Sequence, residues 1–159
     1  MAGVVDRDRG YRAIKAWLLE AGEPYVVVGI RQEEGEKPHD PDGGEEFTIA
    51  DVAAANEFGT EDGHIPERSF LRSTFDEKRN TYERMLQKGL ETAIDRAGDF
   101  DAVHNALELV GERVKRDVQR KIRTLDTPPN APRTIKEKGA DNPLIDTGRM
   151  RQSIDYEVK

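Results

Sequence analysis

Apolar residues recur every three or four positions through the second half of this chain: Val103, Leu107, Val110, Val114, Val118, Ile122 and Leu125. That spacing predicts one amphipathic helix of about 25 residues, roughly 40 Å long at about 1.5 Å per residue. Asp99 is its expected cap, and Asp126-Thr127-Pro128-Pro129 its stop. A second stripe, Phe75, Tyr82, Met85, Leu86, Leu90, Ala93, Ile94 and Ala97, predicts a helix before it, with Ser73-Thr74-Phe75-Asp76 as its start and Gly98 as its break. Gly89 and Gly111 sit inside these two helices, where each is unfavourable by about 1 kcal/mol relative to Ala. A close helix–helix approach is the physical reason to keep them.

The first half is broken into shorter pieces. Tyr11, Ile14, Leu18 and Trp17 give a short N-terminal helix, ended by Gly22 and Pro24. The β-branched run Tyr25-Val26-Val27-Val28-Gly29-Ile30 predicts a strand. Residues 31–46 carry seven carboxylates, three glycines and two prolines and predict a flexible acidic loop. Phe47-Thr48-Ile49 then reads as a second strand pairing with the first, and residues 51–56 as one or two helical turns ended by Gly59 in a left-handed cap. After the Pro/Asn break, residues 148–153 form a short turn of helix and Ser153-Ile154-Asp155-Tyr156-Glu157-Val158 alternates as a last strand. The expected fold is α+β: a small antiparallel sheet of about three to four short strands packed with two long central helices and a short N-terminal helix, in one domain over residues 1–159.

Composition makes the core lean. Hydrophobic residues are 35% and charged residues 36% of the 159. The net charge of −7 is uneven. Residues 1–66 hold 6 Lys/Arg against 15 Asp/Glu, a net of −9, whereas residues 112–151 hold 11 against 6, a net of +5. Such segregation suits complementary contacts between copies, and equally a solvated surface. The absence of cysteine excludes disulfides and thiolate metal sites. The first eleven residues lack the apolar run of a signal peptide, and no stretch approaches the ~18 apolar residues of a membrane helix, so a soluble intracellular product is expected.

Candidate chemistry is sparse. Asp146-Thr147-Gly148 after Leu144-Ile145 resembles half of an aspartic protease site, which would need a homodimer to bring two carboxylates together. The bland reading is a turn in which Asp146 or Thr147 caps the helix near Gly148. His39, His64 and His104 are scattered, with no metal-ligand spacing, so neither a metal nor a cofactor is expected. Arg113, Lys115, Arg116, Arg120, Lys121 and Arg123 suit the negative end of the long helix. A nucleic-acid-binding assembly factor is the alternative for that run, although few aromatics accompany it.

Two blocks carry more. Asn56-Glu57-Phe58-Gly59-Thr60 is followed by Ile65-Pro66-Glu67-Arg68-Ser69-Phe70-Leu71-Arg72. Then come Asn130-Ala131-Pro132-Arg133-Thr134-Ile135-Lys136, Lys138-Gly139, Pro143-Leu144-Ile145-Asp146-Thr147-Gly148 and Ser153-Ile154. In this order they resemble tailed-bacteriophage virion morphogenesis proteins of the tail-completion, neck or head–tail joining type, including Mu G-like and minor tail proteins. The resemblance covers about residues 50–159. It departs at Glu67-Arg68-Ser69-Phe70, where Ala-Arg-Pro-Phe is usual, and at Met150, where Leu is usual. The resemblance implies a non-enzymatic virion protein, assembled in the host cytoplasm, that forms a homo-oligomeric, sixfold ring. Its implied partners are a tail terminator or tail tube protein and head connector proteins, with no membrane and no sequence-specific nucleic acid. Phe58, Gly59, Ile65, Arg68, Phe70, Leu71, Arg72, Ile135, Leu144, Asp146, Thr147 and Gly148 are the expected contact residues, with ordinary intramolecular core an equal reading for Phe70 and Leu71.

Overall fold

The structure, a computed structural model, describes residues 12, 15–16, 24–40, 47–96 and 100–159. The elements run β1 (Val26–Ile30), α1 (Gln32–Gly35), α2 (Ile49–Phe58), α3 (Leu71–Asp95), α4 (Phe100–Thr124), α5 (Pro132–Lys138), α6 (Arg149–Gln152) and β2 (Ile154–Val158). Helix and sheet are mixed as expected, with two long helices. The sheet is smaller than expected. Among the described residues it has two strands, paired antiparallel, and Tyr25 and Lys159 exchange both backbone hydrogen bonds at its end.

The described chain divides into two compact units. One draws on the chain before Val28, Asn80–Gly111 and Glu157–Lys159; the other on Val28–Arg79 and Glu112–Tyr156. In the first, Ala93, Val103 and Leu107 form a buried cluster, with Val26, Leu86, Ala102 and Val158 packed against it. Gly89 explains itself here: a Cβ on it would collide with the Cβ of Ala106 and come within 3.3 Å of the Ala102 carbonyl oxygen. The approach of α3 to α4 in this unit therefore needs glycine, which outweighs its lower helix propensity.

In the second unit the α4 stripe continues through Val114, Val118 and Ile122, all buried. Ile49, Phe70, Leu144, Met150 and Ile154 complete the apolar core, and α2 packs against α1 and α6. Arg31 and Lys115 converge on Asp155 of β2, at 3.3 Å and 2.9 Å. One polar residue interrupts the stripe: Asp117 is buried and pairs with Lys78 at 2.7 Å and Arg113 at 2.8 Å.

Several expectations are corrected. Phe47-Thr48-Ile49 is no strand. Thr48 makes one isolated bridge with Pro38, and with Asp51 it forms a capping box that starts α2 at Ile49. Residues 31–40 are not a solvated loop: α1 occupies four of them, Gly35 and His39 are buried, and Lys37 and His39 hold Ile49 and Phe47 by backbone bonds. Residue span 41–46 of that loop lies outside the described residues. Helix α3 starts at Leu71 rather than Ser73, whose hydroxyl donates back to the Ser69 carbonyl. On α3, Tyr82 and Ala93 are buried, but Phe75, Leu90 and Ile94 are exposed. Leu125 lies beyond the end of α4. Arg12, Lys15 and Ala16 are helical and exposed; Tyr11, Ile14, Trp17 and Leu18, together with Ala97, Gly98 and Asp99, lie outside the described residues.

Candidate interface block

The two sequence blocks meet in the second unit through Arg68, and Glu57 holds the first block together. The opening N–H groups of a helix have no partner within it, and they sit at the positive end of the helix dipole. At α3 these groups point to a carboxylate from the last turn of α2. Glu57 Oε2 accepts from the backbone N–H of Phe70 and Leu71 at 2.8 Å each. Its Oε1 accepts from the Arg72 N–H at 3.0 Å, Arg72 Nε at 3.1 Å and the Ser69 hydroxyl at 2.8 Å. Burial pushes this carboxyl up, but the N–H groups of Leu71 and Arg72, the Ser69 hydroxyl and the Phe70 N–H together hold it below the usual carboxylate range. Arg72 also donates to the Glu57 and Glu67 oxygens, and its guanidinium lies 4.7 Å from the centre of the Phe58 ring.

Gly59 closes α2 with φ 73°, in the region open to glycine, and a Cβ there would stand 2.9 Å from the Glu67 nitrogen. That turn delivers Arg68 to the second block. Arg68 donates through Nε to the Pro128 carbonyl at 2.7 Å and through Nη2 to the Pro129 carbonyl at 3.0 Å. Longer bonds reach Asn130 Oδ1 at 3.4 Å and Asn56 Oδ1 at 3.5 Å. The side chain is buried, and burial pulls its pKa down. Asn130 donates onward to the carbonyls of Asp141 and Asn142. Asn142 in turn accepts from the N–H of Leu144 and Ile145 and donates to the Arg123 carbonyl. Two asparagines, Asn130 and Asn142, and one arginine thus satisfy the backbone of the Pro-rich break, which has no regular ladder to satisfy it.

The Asp-Thr-Gly turn lies at the end of this network. Gly148 takes the cap position of α6 with φ 79°, and the Thr147 hydroxyl accepts from the Arg149 N–H at 3.3 Å. Asp146 Oδ2 lies 3.7 Å from His39 Nε2, while His39 Nδ1 is buried without a hydrogen-bond partner. The basic run on α4 is largely paired within the chain: Arg113 with Asp117, Lys115 with Asp155, Arg116 with Glu112 and Lys121 with Glu77. Among the described residues no group of three or more histidine or carboxylate side chains is placed to hold a metal ion, and no helix is long and apolar enough to cross a membrane.

The expected contact residues separate into three sets. Arg68, Phe70 and Leu144 are buried inside the unit, and Gly59, Ile65, Leu71 and Gly148 are half-buried. Phe58, Arg72, Ile135, Asp146 and Thr147 are exposed, Phe58 at 64%. Glu57, Asn56 and Asn130 stand in the sequence only as parts of a pattern, and Asn142 and Asp117 have no expected role there. Asp117 carried a signal, because it falls beside Val114 and Val118 on an apolar stripe; the asparagines carried none. No protein-family model matches this chain, and neither a curated protein nor a solved structure does.

Proposed function

We propose that this protein is a non-enzymatic structural subunit of a tailed-phage virion, a ring-forming component that completes the top of the tail and joins it to the head connector. The observation that carries this reading is the ordered pair of sequence blocks, Asn56–Thr60 with Ile65–Arg72 and Asn130–Gly139 with Pro143–Ile154. The physical account adds support. Glu57 joins the two parts of the first block and Arg68 joins that block to the second in one frame, which explains why such residue types occur together. The frame leaves Phe58, Arg72, Ile135, Asp146 and Thr147 exposed, so these are the residues assigned to contacts with neighbours, while Arg68, Phe70 and Leu144 hold the frame.

The exposed apolar side chains fit a subunit that gains burial on assembly. Leu90, Ile94 and Leu109 stand out from the long helices, as Phe58 does from the end of α2. The intramolecular pairing of the α4 basic run weighs against a nucleic-acid face. The test is microscopy of the purified full chain, alone and mixed with tails lacking this component. Rings that add to the tail end are expected; a protein that stays monomeric and never associates with tails would overturn the reading.

A further inference from the structure

One cavity in the second unit has an unusual lining. It measures about 530 Å³ and is bounded by Asn56, His64, Arg68, Asn130, Thr134 and Lys138, the rest being prolines, Ile65 and Ala131. No aspartate or glutamate lines it. Two of its walls are cations, Arg68 buried and Lys138 half-buried. Elsewhere in this unit buried charge meets its opposite, as Asp117 meets Lys78 and Arg113, and Glu57 meets Arg72. Arg68 is different: all four of its acceptors are neutral carbonyl or amide oxygens. A guanidinium has five N–H groups, so one at Nη1 is left over.

Lys138 is the second cation. Its ammonium donates to the Asn142 carbonyl at 3.1 Å. Burial lowers its pKa, Asp146 acts in the opposite sense, and Arg68 lowers it further. Asp146 does this without forming an ion pair, its paired neighbour being His39 at 3.7 Å. Two cations beside one cavity with no carboxylate in its wall, Lys138 offset in part by Asp146 from outside that wall, leave positive charge that an anion would neutralise. The Thr134 hydroxyl, which makes no protein hydrogen bond among the described residues, adds a neutral donor.

We infer that this cavity is an oxyanion site, taking a phosphate or a carboxylate against Arg68 and Lys138 with Thr134 as a further donor. The oxyanion is either a free anion or an acidic side chain of a second copy. The site itself does not rest on the ring reading.

The experiment is a thermal-melt titration of the full chain with inorganic phosphate and with succinate, at ionic strength held constant with sodium chloride, followed by sedimentation of the same samples. Lys138→Gln is the variant, because Arg68 also holds the backbone of the Pro-rich break. For a free anion, phosphate or succinate raises the melting temperature of the wild type, Lys138→Gln weakens the apparent affinity by about tenfold, and sedimentation is unchanged. For a carboxylate from a second copy, phosphate and Lys138→Gln each shift sedimentation towards smaller species. An unchanged melting temperature together with unchanged sedimentation overturns the inference, as does an anion response equal in wild type and Lys138→Gln.

Discussion

The two compact units are held by different physics. The first relies on close apolar approach, where Gly89 admits Ala106 and the cluster of Ala93, Val103 and Leu107 packs with Val26 and Val158. The second has an apolar core too, but adds a set of buried polar residues: Glu57, Arg68, Asp117 and Asn130. Apolar packing is tolerant and roughly proportional to area removed from water. A buried polar network is unforgiving, because removing one member strands the others. The second unit therefore contains the positions where one side-chain change does most damage, and three of these four, Glu57, Arg68 and Asn130, fall in the sequence blocks on which the functional reading rests.

The sharpest way to break this contrast is Glu57→Ala. It strands the N–H groups of Phe70, Leu71 and Arg72 at the start of α3. The expected loss is about 3 kcal/mol in chemical denaturation; a loss below about 1 kcal/mol contradicts the role given to Glu57. Acid sharpens the same point. The carboxyls of Glu57 and Asp117 are held below their ordinary values, the first by the N–H groups and hydroxyl around it, the second by Lys78 and Arg113 overcoming burial. Their contribution is full above the unfolded carboxylate values of about 4 and is lost as pH falls through the lower folded values. Melting temperature should fall on acidification below that range, and less steeply in Glu57→Ala than in wild type.

In the first unit the telling substitution is Gly89→Ala. Helix propensity alone predicts a gain of about 1 kcal/mol. The collision with Ala106 predicts instead a net loss of about 1–2 kcal/mol, visible as a lower melting temperature; a gain would show that the helices can separate without penalty. The smallest effect on stability is expected from Phe58→Ser. Phe58 is exposed, so the change should stay within about 0.5 kcal/mol. Its effect should appear in self-association, measured by sedimentation across concentration.

The same contrast decides what could be read from the sequence. The α4 stripe and both strands were legible, because local period alone sets them. The strand expected at Phe47-Thr48-Ile49 failed although the sequence held the competing signal, Thr48 with Asp51 three residues later. Leu90 and Ile94 were expected to be buried on an apolar face broader than the one α3 buries. The polar frame built by Glu57 and Arg68 was illegible for another reason. Arg68 meets Pro128, Pro129 and Asn130 across some sixty residues, and Glu57 caps a helix that begins fourteen residues later. No local pattern carries such pairings. For the expected contact residues, the segments were legible, but local pattern does not sort Arg68 and Phe70, which are buried, from Phe58 and Arg72, which are exposed.

The most direct test of the central claim is native mass measurement of the purified full chain over micromolar concentrations, beside Phe58→Ser. The account predicts one closed homo-oligomer for the wild type and a shift towards monomer for the variant, with both chains equally folded. A wild-type chain that remains a 17.9 kDa monomer throughout that range would contradict it.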